Sequence, residues 1–338
     1  MSATIHSTTS TPSVRNKLPG RLLRAAAAIG MGLACGANAL AQDYPAKQVI
    51  VVVPFAPGGT VDNVARQVQE ELSARLKQTV IVENRGGAGG TIGTGTVAKA
   101  QPDGYRVGMV FDSYATEAHI YPSLAYSPSK DLTGVSYMVR SPMVLVVPAS
   151  SAYKTLQDYI NASKTPDTVS YASVGAGSSN HLAAELFHET AGTSALHTPY
   201  KGGGPAMTDL MGAHVDSMIA SLPLVLPHVQ AGKLRALGVT SKTRAAQLPD
   251  VPAIADTFKD FEIYSWVGMI APAQTPAAVL KRLSDDVNAT LKTPAIAARL
   301  NEGGFEVVAG GPDQMNALIN SESERWGRLI ADKKIGQQ

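Results

Sequence analysis

Residues 49–72 read VIVVVPFAPGGTVDNVARQVQEEL. Five β-branched residues, Val49 to Val53, suit a buried parallel strand. Pro54 ends the run. Beyond the glycine pair, Val61, Val64, Ala65, Val68 and Leu72 fall at the spacing of one helix face. Thr60 is the expected helix cap, and Asp62 sits in the first turn, where a carboxylate is favoured. A strand that passes through small residues into a helix presents the first, internally unpartnered amides of that helix. Such an end attracts anions. The Walker pattern G-x-x-x-x-G-K-[ST] is absent, which argues against a phosphate.

The plan recurs at residues 168–190, TVSYASVGAGSSNHLAAELFHET. A short strand leads into Gly175, Ala176 and Gly177, then Ser178, Ser179 and Asn180, then a helix with Leu182, Ala183, Leu186 and Phe187 on one face. Two such ends facing one cleft would clamp a carboxylate without a full positive charge. One side would be Phe55, Ala56, Pro57, Gly58, Gly59 and Thr60. The other would be Ala176, Gly177, Ser178 and Ser179, with His181 close behind. Glycine admits an anion to the backbone, and the hydroxyls of Thr60, Ser178 and Ser179 add donors. For either loop alone, a tight turn serving only the fold is an equal account; their pairing favours binding. A third loop, TPYKGGGPAMTDL at 198–210, could close the cleft through Tyr200 and Gly202. Phe55 and Tyr200 could stack on a ligand ring or simply wall the site.

Strand-like and helix-like pieces alternate along the rest of the chain, which predicts an α/β fold. Strands are expected at 79–83, 105–111, 143–147, 168–172, 215–220, 234–240 and 266–271. Helices are expected at 155–162, 181–190, 206–211, 277–292, 294–303 and 312–333. Two apolar strands, each ending before a proline (Pro148 and Pro272), bracket a region with its own alternating pattern. The expected organisation is therefore two lobes, 42–145 with 268–338 and 146–267, joined by two crossovers that form a hinge and a cleft. Asp112, Ser113 and Tyr114 follow a strand that should end at that cleft. They are placed to read the far end of a ligand; a helix cap and a packed tyrosine are the plainer alternative.

The first 41 residues differ from the rest. Arg15, Lys17, Arg21 and Arg24 stand without any acidic residue, a small apolar stretch follows, and Ala39-Leu40-Ala41 ends it. This reads as a secretory signal peptide, which implies the periplasm. Its removal takes the basic residues from 29 to 25 against 27 acidic ones, so the net charge passes from +2 to −2. Nothing in that balance suggests a nucleic-acid partner. The only cysteine, Cys35, leaves as well, which excludes disulfides and a thiol nucleophile from the exported chain. Beyond residue 42 no apolar run of eighteen occurs. The remaining histidines, 119, 181, 188, 197, 214 and 228, show no metalloprotease spacing. Ser178 is not in a G-x-S-x-G elbow. No metal, cofactor or catalytic residue is therefore expected; an exported serine hydrolase using Ser178 is the weakest reading kept.

Five stretches carry a resemblance: VPFAPGGTVDNVAR, VENRGGAGGTIGTGTVAKAQPDGY, YASVGAGSSNHLAAELF, PYKGGGPAMTDLMGAHVD and LPHVQAGKLRALGVT. Together they resemble the Bug-type periplasmic receptors, the solute-binding subunits of tripartite tricarboxylate transporters. The resemblance implies a two-lobed periplasmic binding protein of the second type. Each lobe would be a mostly parallel sheet flanked by helices. It further implies a monomeric receptor that takes a small organic acid, here a dicarboxylate, and hands it to integral-membrane subunits. An aromatic carboxylate such as terephthalate is the alternative ligand, and presentation to a sensor kinase an alternative fate. In the family, loops matching Phe55–Thr60 and Ala176–Ser179 grip one carboxylate. The chain departs from many members in carrying Ala220-Ser221 before Leu222-Pro223. An acidic-Asn pair there would suit a ligand ammonium, so its absence argues against an amino acid; Ser221 remains a candidate contact.

Overall fold

The computed structural model describes residues 3–4 and 44–336, and the unit considered below begins at Pro45. The leader expected over 1–41 lies, apart from 3–4, outside the described residues. The chain opens with β1 (Val49–Val53), α1 (Thr60–Leu76), β2 (Val80–Asn84), α2 (Thr91–Ala98) and β3 (Arg106–Phe111). Short turns at Asp112–Thr116, Glu117–Ile120 and Pro128–Asp131 lead to β4 (Leu132–Pro148). Next come α3 (Leu156–Ala162), β5 (Ser170–Ser173), α4 (Ser179–Ala191), β6 (Leu196–Pro199), α5 (Gly203–Met211), β7 (Ser217–Ser221), α6 (Leu222–Gln230) and β8 (Leu234–Val239). The chain then returns through β9 (Tyr264–Pro272), α7 (Ala277–Leu291), α8 (Pro294–Glu302), β10 (Glu306–Gly310) and α9 (Pro312–Asp332).

The strands join in the order β2-β1-β3-β9-β4-β7-β5-β6, with β8 and β10 also paired to β4. Each half of this sheet holds a parallel trio with the same internal order: β1 between β2 and β3, and β5 between β6 and β7. The antiparallel partners are β4 and β9, with β10 in the first half and β8 in the second. Strand β4 is common to both. Its first part, Leu132–Pro142, pairs with β9, and Met143–Pro148 pairs with β7 and β8. In both trios the chain leaves the central strand to one side and returns on the other. Ligands of such sheets sit beyond the carboxyl ends of the strands at that reversal.

Why these segments fold this way is largely a matter of periodicity. The stripe of α1 buries Val64, Val68, Leu72 and Leu76 at 2% exposure or less, each contributing about 1.5–3 kcal/mol relative to exposure. Lys77, in the left-handed region, ends the helix. Helix α3 starts on a reciprocal capping box between Thr155 and Asp158. One apolar cluster fills the first half, around Val52, Val110, Trp266 and Met315. Another fills the second, around Tyr159, Tyr171, Phe187 and Ile219, and it takes in Trp326, Leu329 and Ile330. Helix α9 therefore packs its start on the first half and its end on the second.

Three departures from the sequence reading are structural findings. Gly59, not Thr60, occupies the N-cap of α1, and Thr60 is the first helical residue. Strand β4 extends eleven residues ahead of the expected 143–147, through Gly134, Arg140 and Pro142. Helix α6 forms where none was expected, because Pro223 in its first turn and Pro227 inside it mask the pattern. Among the described residues no helix is long and apolar enough to cross a membrane.

Candidate functional site

The two predicted loops lie where the topology demands. Residues 54–59 follow the carboxyl end of β1 and residues 174–178 follow that of β5, each leading into a helix. In the first loop Ala56, Pro57, Gly58 and Gly59 are exposed while Phe55 and Thr60 are half-buried. Gly58 adopts φ +83°, a conformation that glycine takes without cost. Its N–H donates to Asp62 Oδ2 at 2.8 Å.

Asp62 is the post on which this loop hangs. Its residue is 1% exposed. Oδ2 also accepts from Arg66 Nε at 2.9 Å, and Oδ1 accepts from Asn84 Nδ2 at 2.9 Å. Asn84 Nδ2 donates in addition to the Phe55 carbonyl, and Arg66 Nη2 donates to Asn84 Oδ1. Burial raises the Asp62 carboxyl pKa, but the hydrogen bonds from Arg66, Gly58 and Asn84 outweigh it and hold it below the usual value. The sequence reading gave Asp62 only a dipole role and did not find Asn84. The register Val53↔Asn84 in the parallel β1–β2 pair is what sets Asn84 beside the loop.

The second loop is braced from beneath. Ser178 caps α4: its Oγ accepts from the His181 N–H and donates to the Gly175 carbonyl. The His181 ring lies under the loop, 6% exposed, and Nδ1 accepts from the Gly177 N–H at 3.0 Å. It stacks on His197, with centroids 3.8 Å apart, and His197 Nε2 meets Ser173 Oγ at 2.7 Å. Burial, with the neighbouring His197, pushes the His181 pKa down to about 4, which keeps Nδ1 an acceptor. His181 is thus a positioning residue of the loop. His197 brings the supporting ring from β6, a role that nothing local in the sequence signals.

Residues beyond β3 connect the loops. The Phe55 ring meets Phe111 edge to face at 6.4 Å. Asp112, next in the chain, lines a cavity of about 10 Å³ with Ser113, Ser179, Tyr264, Glu322 and Trp326. Gly177, at φ +75°, packs so closely on the turn after β3 that an added Cβ would lie 2.3 Å from Ile120 Cδ1. The two halves are therefore in contact at the second loop. Tyr114 takes the packed alternative: its ring joins the first core at 3% exposure and its hydroxyl donates to the Pro128 carbonyl. Tyr200 is tied by its hydroxyl to Asp209 Oδ2 and by its N–H to the Ser173 carbonyl. Gly202 caps α5, and Ser221 ends β7, 5% exposed. Tyr200, Gly202 and Ser221 do not line the Asp112 cavity.

A sheet of two parallel trios sharing one crossing strand, with a helix-start loop from each half, defines the class of periplasmic binding proteins. The chain belongs within it to the tripartite tricarboxylate transporter receptor family, whose profile matches residues 64–335. Protein BugT of Bordetella pertussis is 35% identical over 318 residues, covering 92% of this chain and 98% of its own. Rpa4515 of R. palustris, solved with adipate, superposes with a TM-score of 0.80 at 33% identity, covering 87% of this chain and 99% of its own. MatC (Rpa3494) from Rhodopseudomonas palustris, solved with bound malate, gives 0.76 at 30% identity, covering 85% and 100%.

Proposed function

We propose that this chain is an exported, non-enzymatic receptor that captures a small carboxylate, preferably a dicarboxylate. It delivers the acid as a monomer to membrane subunits of a tripartite transporter. The lobes are 42–145 with 268–338, and 146–267, the end of α9 resting on the second. The carboxylate sits between the start of α1 and the start of α4. Free first-turn amides and the hydroxyls of Thr60 and Ser179 receive it, as neutral donors that release it when the halves part, while Ser178, whose hydroxyl is already given to the Gly175 carbonyl, holds the loop in shape.

One observation carries this reading. Both loops are fastened by side chains, Asp62 and Asn84 in one and His181 in the other. That is the preorganisation a binding site needs, because the ordering cost is met before the ligand arrives. The carboxylates in the two relatives' structures agree in kind. Calorimetric titration of succinate, adipate, malate and benzoate tests the proposal. At least one dicarboxylate is expected to bind in the micromolar range or tighter, about −8 kcal/mol. Preference for benzoate would turn the reading to an aromatic acid, and binding of none would contradict it.

A further inference from the structure

Asp112 stands apart from the other acids among the described residues. Its residue is 5% exposed and both carboxyl oxygens are fully buried; neither makes a hydrogen bond of good geometry, although the Ser179 hydroxyl and the Ser113 N–H lie near enough to act on its charge. It lines a cavity of about 10 Å³, room for one oxygen-sized group. Ser179 lines the same cavity from the opposite half, as the first helical residue of α4. Asp112 therefore shares its chamber with the helix start that the proposed function assigns to the ligand carboxylate.

The groups around it offer no countercharge. Helix α9 contributes Glu322, which is itself bonded by Trp326 Nε1, with Arg325 at 3.9 Å from the Glu322 carboxylate. His119 meets Ser323, the next residue of α9. Strand β9 contributes Tyr264, whose outer face is covered by the Arg140 guanidinium. The cavity lining holds no lysine, arginine or histidine among the described residues. A ligand carboxylate placed beside Asp112 would make a pair of like charges in a dry site, with Glu322 as a third acid. Such pairs hold one proton between them.

We propose that Asp112 enters the closed complex protonated and donates its hydroxyl to a ligand carboxylate oxygen, so that each acid is bound together with one proton. The inference rests on the proposed function. The proton comes from solvent and no covalent bond of the ligand changes. Burial, the largest influence, raises the Asp112 pKa well above its ordinary value, in the direction this requires; the Ser179 hydroxyl opposes it, the Glu322 charge adds to it, and the Ser113 N–H opposes it. In an open state, hydration removes the burial that raises the carboxyl pKa, and the group ionises more readily. Between the open-state and closed-state pKa values closure takes up a proton, so affinity falls as pH rises, by up to about tenfold per pH unit.

The test is calorimetry with whichever of succinate, adipate, malate and benzoate binds most tightly, in two buffers of different ionisation heat, from about pH 5 to about pH 8. Wild-type protein is expected to take up close to one proton per ligand near neutral pH and to weaken progressively as pH rises. D112N, which cannot ionise, is expected to lose both the uptake and the slope. Binding by wild type without proton uptake overturns this inference and leaves the carboxylate reading standing. So does uptake that persists in D112N. Binding of no acid overturns both. The wild-type measurement decides the matter even if D112N does not fold.

Discussion

Gly177→Val is expected to reduce ligand affinity by about 100-fold or more, the equivalent of about 3 kcal/mol. Two costs coincide at this position. The backbone is in the left-handed region at φ +75°, where a β-branched residue is strained by about 1–2 kcal/mol. The new side chain would also enter the space of Ile120, whose Cδ1, Cγ1 and Cγ2 all lie within 3.2 Å of the added Cβ. The second loop would then stand off from the turn after β3, and closure would be incomplete. Gly192→Val supplies the control. That glycine ends α4 at φ +63° with nothing within 4 Å of an added Cβ, so it carries the backbone strain alone. Isothermal titration of both variants separates the terms. Equal affinities would show that contact between the halves at Gly177 is not part of binding.

Asp62→Ala is expected to lower folding stability by about 1–3 kcal/mol and binding with it. The change strands the Gly58 N–H, one Asn84 amide hydrogen and the Arg66 guanidinium. The Asn84 amide weighs most, since Gly58 is exposed and the Arg66 side chain is 51% exposed, so that water can replace their partner. The loop then loses the bond that fixes Gly58 in its left-handed turn. Urea unfolding reads the first effect and titration the second. An unchanged unfolding midpoint would show that Asp62 does not anchor the loop.

The contrast between these residues explains what the sequence reveals. Both loops were legible because their signals are local: small residues between an apolar strand and an amphipathic stripe. The supports were not. Asp62 and Asn84 lie 22 positions apart and meet only because β1 and β2 are parallel neighbours in one register. His181 was identified as a site residue, yet its inward direction depends on His197 arriving from β6. Tyr114 was placed near the cleft by counting from the strand end, whereas its ring turns into the core beside Val52 and Trp266. The sharing of β4 between the halves was hidden by Gly134, Arg140 and Pro142, residues that interrupt an apolar pattern without interrupting a strand whose register shifts. Asp112 is a candidate from its place after β3, but that its oxygens are buried without a hydrogen bond of good geometry is knowable only in three dimensions.

The central claim is that the starts of α1 and α4 hold one carboxylate between them. A crystal structure of the receptor with a bound dicarboxylate tests it most directly. One carboxylate group is expected within hydrogen-bonding distance, about 2.7–3.2 Å, of backbone amides from both the 59–61 and the 179–180 segments. A ligand held by one segment alone, or elsewhere in the molecule, would contradict it.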